Sequence, residues 1–230
     1  MTTSASARVV PDADPYRPPP DLGLEVVHLE ETFVVLVKPP GLLSEPGRGP
    51  DKRDSLLVRA QAEFPDARIV HRLDMMTSGL IVLARETRAH ATLSEAFRER
   101  DVHKRYEAVV HGRPAVEQGD IALPLIVDWP NRPRQVVCHE TGKPSLTRYR
   151  VVGDEPGGRA RIALEPVTGR THQLRVHLAA LGHPIVGDPF YGVPGETVEE
   201  APRMMLHARG LEFAHPQTGE PLRFESGVPF

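Results

Sequence analysis

Ile69-Val70-His71-Arg72-Leu73-Asp74-Met75-Met76-Thr77-Ser78-Gly79-Leu80-Ile81-Val82-Leu83-Ala84 is the stretch on which the fold turns. A polar, glycine-containing loop runs into an apolar segment, Leu80–Leu83, short enough for a buried strand. The loop presents one carboxylate, Asp74, between charged neighbours, and loops on a rigid scaffold are where reactive groups usually sit. Spacing alone leaves a second reading open, a structural ion pair of Asp74 with Arg72 or His71.

Upstream, Leu24–Leu29 and Phe33–Val37 flank a polar Glu-Glu-Thr, a hairpin signal ended by Lys38-Pro39-Pro40-Gly41. Residues 55–64 read as a helix with Asp54 as cap and Leu57, Gln61 and Phe64 on one face, stopped by Pro65. A second helix is expected over 88–99, capped by Thr87, with Ala89, Leu93, Ala96 and Phe97 inward. Strands follow near 105–111, 120–126, 134–138, 146–152 and 160–165. A third helix is expected over 172–181, with Thr171 as cap, Leu174, Leu178 and Leu181 along one face, and Gly182 and Pro184 closing it. Short strands near 205–208, 210–214 and 222–225 complete the pattern. Many strands with a few helices imply an α+β fold with a mostly antiparallel central sheet and flanking helices. Residues 1–20, rich in Pro, Ala and Ser, read as a disordered or extended leader, and 21–230 as one domain.

The chain has 230 residues, enough for a real core. Its single cysteine, Cys138, excludes an internal disulfide framework and any multi-cysteine metal site, and is expected as a small core residue on a strand. No apolar run approaches the roughly 18 residues of a membrane helix, and the start lacks a secretory apolar region, so a cytoplasmic protein is expected. No phosphate loop, dinucleotide fingerprint, H-E-x-x-H or G-x-S-x-G occurs. His172 and His177, five apart on a helix, are poorly placed to share a metal. No metal and no cofactor is expected, and side chains alone must carry the chemistry.

The net charge is −3, yet residues 131–150 hold Arg132, Arg134, Lys143, Arg148 and Arg150 against Glu140 alone. That asymmetry suits a basic face for a polyanion. Gly169-Arg170-Thr171-His172-Gln173-Leu174-Arg175 opens a helix with two arginines, an arrangement that favours anions. Lys104-Arg105-Tyr106 sets cations beside a ring on which a base could stack. Each feature alone is also compatible with a solvated surface or an ordinary strand.

Together, HRLDxxTSGLIVLA, then KRY, then GRTHQLRVHLAALGHPIVGDPFYG resemble the RluA family of pseudouridine synthases across residues 24–226. KPPGLLSEPG, LPLIVDWPNRPRQVVCHETGKPSLTRY and LHARGLEFAHP are similar to it as well; the middle segment resembles the branch acting on both rRNA and tRNA. Only about 23 residues precede the first expected strand, so no S4 domain is expected. The resemblance implies a pseudouridine synthase fold with an active-site cleft, and isomerisation of uridines in RNA: the N-glycosidic bond breaks, the uracil turns, and C5 rejoins the sugar. The implied targets are uridine 746 of 23S rRNA and uridine 32 of the tRNA anticodon stem-loop, with no membrane and no obligate protein partner, hence a monomer.

By the same resemblance Asp74 is the essential carboxylate, with attack on ribose C1′, attack on uracil C6 and removal of the C2′ proton all open to it. Arg175 pairs with Asp74, Tyr106 stacks on the target base with its phenol also open to proton transfer when the C5 proton leaves, and Leu174 packs against the uracil. Arg72 fills the space left by a flipped base, and His71 shapes that loop. Arg170 and the 131–150 stretch are expected phosphate contacts on charge alone. Two rival classes remain in view: a non-catalytic RNA-binding module, which would not need Asp74, and a glycoside hydrolase, which would need a second carboxylate across the bond.

Overall fold

The computed structural model describes residues 16–196 and 201–230. Fifteen of the twenty residues read as a leader lie outside these. The remainder, Tyr16–Pro20, is extended and tied down: the Tyr16 hydroxyl donates to Asp54 O (3.1 Å) and accepts the Leu43 N–H (3.0 Å), and Arg59 donates to Pro19 O (2.7 Å).

The described strands are β1 (Glu25–Leu29), β2 (Phe33–Lys38), β3 (Arg68–Ile69), β4 (Ser78–Ala84), β5 (His103–His111), β6 (Gln118–Ile121), β7 (Leu125–Val127), β8 (Gln135–Val137), β9 (Thr147–Glu155), β10 (Arg159–Pro166), β11 (Leu206–Ala214) and β12 (Pro221–Glu225). The helices are α1 (Leu56–Glu63), α2 (Thr87–Glu99) and α3 (Gln173–Ala180). Ten strands form one sheet along the path β1-β2-β4-β11-β5-β10-β9-β6, with β3 beside β4 and β12 beside β11. Its pairings are antiparallel except β4 with β11. The expected α+β class and mostly antiparallel sheet therefore hold. A separate hairpin pairs β7 with β8.

β4 is buried along its whole length because helices cover both faces of this half of the sheet. Ile81 and Leu83 pack with Leu56 and Ala60 of α1, while Leu80 and Val82 pack with Ala89 and Leu93 of α2. α3 covers the other half, with Leu174 and Leu178 against Ala108, Ile162 and Leu164. Tyr106 belongs to the packing of both halves, so the seam of the molecule runs under its ring.

Several local expectations change. Ser55, not Asp54, caps α1 by accepting the Val58 N–H (3.3 Å); Asp54 instead binds Arg59 through both oxygens, and Leu56 and Ala60 are the buried positions. Thr87 lies inside α2, and Glu86 precedes it without a side-chain cap. α3 starts after His172, whose left-handed φ of 53° turns the chain; Thr171 caps nothing. The opening turn is closed by Gln173, which accepts from Thr168 Oγ1 (2.6 Å) and the Arg170 N–H (3.0 Å) and donates to Leu146 O (2.9 Å). Leu181 is 38% exposed. Residues 120–126 divide between β6 and β7, and the two short strands expected over 205–214 are one bulged strand, β11. Cys138 sits half-buried just beyond β8, with its sulfur near Thr141 Oγ1 (3.4 Å), and takes no part in the core clusters.

Gly79 sets the β4–β11 approach. Its φ is +112°, and a Cβ there would lie 2.3 Å from Ala208 O and 2.6 Å from Ala208 N. Both contacts are backbone, so nothing can move aside cheaply. Gly79→Ala should therefore cost on the order of 3 kcal/mol in denaturant unfolding; a loss below about 1 kcal/mol would contradict the close approach.

Burial lowers the pKa of several imidazoles, most strongly those of His207 and His71. His207 lies between Ser78 Oγ (2.8 Å) and Ser226 Oγ (3.1 Å), and burial, helped by Arg203, brings its pKa from 6.5 to about 4. His71 stacks on Phe97 at 4.2 Å, and burial lowers it to about 3. Below 6.5 the unfolded chain binds more protons than the folded one. The stability these groups contribute is complete above about pH 6.5 and is lost as pH falls toward 4 and 3. Urea midpoints should drop between pH 7 and 4.5, less steeply in His207→Gln; equal slopes would show that His207 is not the group titrating.

Candidate active site

A cleft of about 660 Å³ opens where the two halves of the sheet meet, and Asp74, Tyr106, Arg175, Leu174, Arg72, His71 and Arg170 all line it. The residues singled out in the sequence thus converge from three places in the chain.

Asp74 stands on a loop clamped on both flanks. Before it, Ser44 Oγ donates to Leu73 O (2.8 Å) and accepts the Leu73 N–H (3.1 Å). After it, Met75 O accepts from Lys38 Nζ (2.9 Å) and the Gly41 N–H (2.9 Å). Lys38 is fully buried at the end of β2 and also donates to Leu42 O (2.7 Å) and Pro39 O (2.8 Å). Burial brings its pKa down to about 7, with Asp74 pulling the other way. One ammonium thus binds the β2 hairpin to the Asp74 loop.

Arg175 is 2% exposed. Its Nε and Nη2 donate to the two oxygens of Asp188 at 2.7 and 2.8 Å, and its Nη1 donates to Asp74 Oδ2 at 3.1 Å. Burial alone would lower the guanidinium pKa, but Asp188 and Asp74 raise it above the ordinary value. The bidentate bond to Asp188 fixes the plane of the fork and so aims Nη1 at Asp74. Asp188 is itself held by the Phe190 and Tyr191 N–H groups (2.9 and 3.1 Å). Among the described residues, the other oxygen of Asp74 has no hydrogen-bond partner, and the side chain keeps 25% exposure toward the cleft.

His172 Nε2 lies 3.9 Å from Asp74 Oδ2, and its Nδ1 is 2.8 Å from the Tyr191 hydroxyl. Tyr191 accepts the Gln135 N–H (2.7 Å), so its own proton is free to go to Nδ1. Burial lowers the His172 pKa against the pull of Asp74. The neutral tautomer that fits carries its proton on Nε2, facing Asp74.

Tyr106 sits on β5 opposite Leu164 of β10 and Ala208 of β11. Burial, and then the charge of Asp74, raise its phenol pKa above the ordinary 10, so the hydroxyl stays protonated near neutrality. Leu174, 7% exposed, adds an apolar wall. Arg72 is at the rim: its side chain is 64% exposed and pairs with Glu45 (2.7 Å). His71 accepts the Val82 N–H at Nε2 (3.1 Å), which anchors the loop and occupies the ring. Arg170 donates to Pro144 O (3.3 Å) at the cleft edge. Arg98, Arg100 and Lys104 line the cleft too, and its carboxylates are Glu45 and Asp74, so its charge favours a polyanion.

Sequence reasoning assigned no role to Lys38, Ser44, His172, Asp188 or Tyr191. Only a buried lysine's partners reveal its role, and these are carbonyls that leave no side-chain signature. Asp188 could have been suspected from the uncommon run Gly-Asp-Pro-Phe-Tyr-Gly at 187–192.

Residues 32–180 match the family described as RNA pseudouridylate synthase. The chain is 49% identical over 215 residues to the dual-specificity RNA pseudouridine synthase RluA of Escherichia coli O6:H1, covering 94% of this chain and 98% of that one. It is also 49% identical to the protein of the same name from Yersinia pestis, over 89% of this chain and 99% of that one. Among solved structures, human RNA pseudouridylate synthase domain containing 1 superposes with a TM-score of 0.78 at 31% identity, covering 93% of this chain and 87% of that one. Human RNA pseudouridylate synthase domain containing 4 does so with a TM-score of 0.71 at 26% identity, covering 89% and 88%. The family match, the identity over nearly the whole chain and the shared fold give the chain its place: it belongs to the RluA family of pseudouridine synthases, isomerases that convert uridine in RNA to pseudouridine.

Proposed function

We propose that this enzyme is dual in specificity, acting on uridine 746 of 23S rRNA and uridine 32 of the tRNA anticodon stem-loop, with Asp74 as the essential catalytic carboxylate. The observation that carries the reading is the chain Asp188–Arg175–Asp74: a buried guanidinium, fixed by one carboxylate, holds a second at a cleft wall with one oxygen free. The dual target is supported by relatives named for dual specificity at 49% identity over nearly their full length. We take residues 21–230 as the catalytic domain, working as a cytoplasmic monomer without a cofactor.

In this reading the target uridine leaves its stack and enters between Tyr106 and Leu174. Asp74 meets the nucleoside with its free oxygen, while Arg175 keeps the carboxylate oriented. The glycosidic bond breaks, the uracil turns, C5 bonds to C1′, the C5 proton leaves to solvent, and N1 takes up a proton, so the product is an isomer of the substrate. Tyr106 stacks on the base throughout; its neutral phenol resists ionisation as long as Asp74 is charged. Arg72, free to swing from its exposed pair with Glu45, fills the gap left in the RNA. Arg170, Arg100 and Lys104 meet phosphates around the mouth. Asp188, His172 and Lys38 are positioning residues, because they act through Arg175 or Asp74.

The deciding experiment is tritium release from 5-tritiated uridine in an anticodon stem-loop and in a 23S rRNA fragment. The wild type should release tritium from both, and Asp74→Asn should lose about a thousandfold or more while still binding RNA. Release from one RNA alone would overturn dual specificity. Asp74→Asn turnover within about tenfold of the wild type would overturn the role of Asp74.

Asp188→Asn separates positioning from binding. It preserves shape but removes the charge that fixes Arg175, so kcat should fall roughly 10- to 100-fold with RNA affinity little changed. A rise in KM with kcat intact would instead place Asp188 in RNA binding.

A further inference from the structure

The β7–β8 hairpin carries a feature that the chemistry at Asp74 does not use. Its tip, Asp128–Arg134, holds Trp129 with 63% of its surface exposed. The tip is not loose. Asp128 N–H donates to Arg134 O (2.9 Å), Arg134 N–H to Asn131 O (3.0 Å), and Asn131 Nδ2 to Asp128 Oδ2 (2.9 Å). An exposed indole on a frame hydrogen-bonded from both sides is presented, not left over. The Arg132 guanidinium lies over the ring, 4.8 Å from its centroid, and Arg134 lies over Tyr191 at 5.3 Å.

The tip is also wired to the active site. Gln135, at the foot of β8, donates its N–H to the Tyr191 hydroxyl, which bonds His172, which faces Asp74 Oδ2. An RNA loop with one nucleotide at Asp74 therefore has neighbouring nucleotides within reach of this hairpin. At the tip, Arg132 and Arg134 supply positive charge, and Asp128 is engaged by Asn131.

We propose that Trp129 is a second base-stacking platform, where an unpaired nucleotide flanking the target uridine stacks on the indole while Arg132 and Arg134 meet its phosphates. The proposal rests on the RNA-modifying reading and extends it to substrate choice. Every base has a π-face, so such a platform tolerates sequence but requires an unstacked base. It selects a loop over a duplex.

Trp129 is the chain's sole tryptophan, so its fluorescence reports on this site alone. An anticodon stem-loop RNA titrated into the Asp74→Asn protein should quench the emission saturably. A fully paired duplex containing the same stem should not. In the active enzyme, Trp129→Ala should raise KM for the stem-loop on the order of tenfold with a smaller change in kcat, and Trp129→Phe should recover most of the loss. Saturable binding of labelled RNA with unchanged emission, or equal quenching by the duplex, would overturn the platform while wild-type pseudouridine formation stood. Absence of pseudouridine formation by the wild type on any RNA would overturn the reading beneath it.

Discussion

The site depends on a guanidinium buried between two carboxylates. Arg175 has almost no access to water, and a charge so placed survives only if its donors are matched. Asp188 takes two of them in a planar pair, and Asp74 takes a third. Every structural demand around the pair follows from that. Asp188 must be held by backbone N–H groups, α3 must begin where Arg175 points inward, and the Asp74 loop must arrive within hydrogen-bond range from more than a hundred residues away. A buried ion pair of this kind adds little net stability, since desolvation offsets much of the attraction. Its value is geometric: it fixes where a carboxylate stands.

The sheet supplies the frame. β4 is sealed on both faces, and its parallel contact with β11 closes only because residue 79 has no side chain. That contact joins the half bearing the Asp74 loop to the half bearing α3, with Tyr106 at the seam. The cleft therefore sits at the junction of two packed units, whose relative position is set by a backbone approach tighter than any residue with a Cβ would allow.

Much of this was legible in the sequence. The strand after Asp74, the amphipathic α2, the antiparallel character of the sheet and the cleft residues all follow from apolar runs and motifs. The departures share one physical cause: side-chain partners outside the local cap rules, some near in sequence and some far, claim the groups those rules count on. Thr171 looks like a helix cap, but Gln173 closes that turn by reaching back to Thr168 and across to Leu146. Asp54 looks like a cap but is drawn away by Arg59. Lys38 reads only as part of the run that ends a strand; its three carbonyl partners come from the turn after β2 and from the Asp74 loop, and only the folded chain brings them together.

Under the role proposed for Asp74, the clamps on Leu73 and Met75 also bear on how substrates are told apart. A carboxylate whose two neighbours are pinned by Ser44 and Lys38 cannot travel to meet a misplaced sugar. The rearrangement needed for contact falls on the RNA. A uridine in a pliable loop reaches the carboxylate at small energetic cost, whereas the same base in a rigid stem must first undo its stacking and pairing. Stiffness on the protein side turns the mechanical compliance of the nucleic acid into a criterion of selection, applied before any base edge is read.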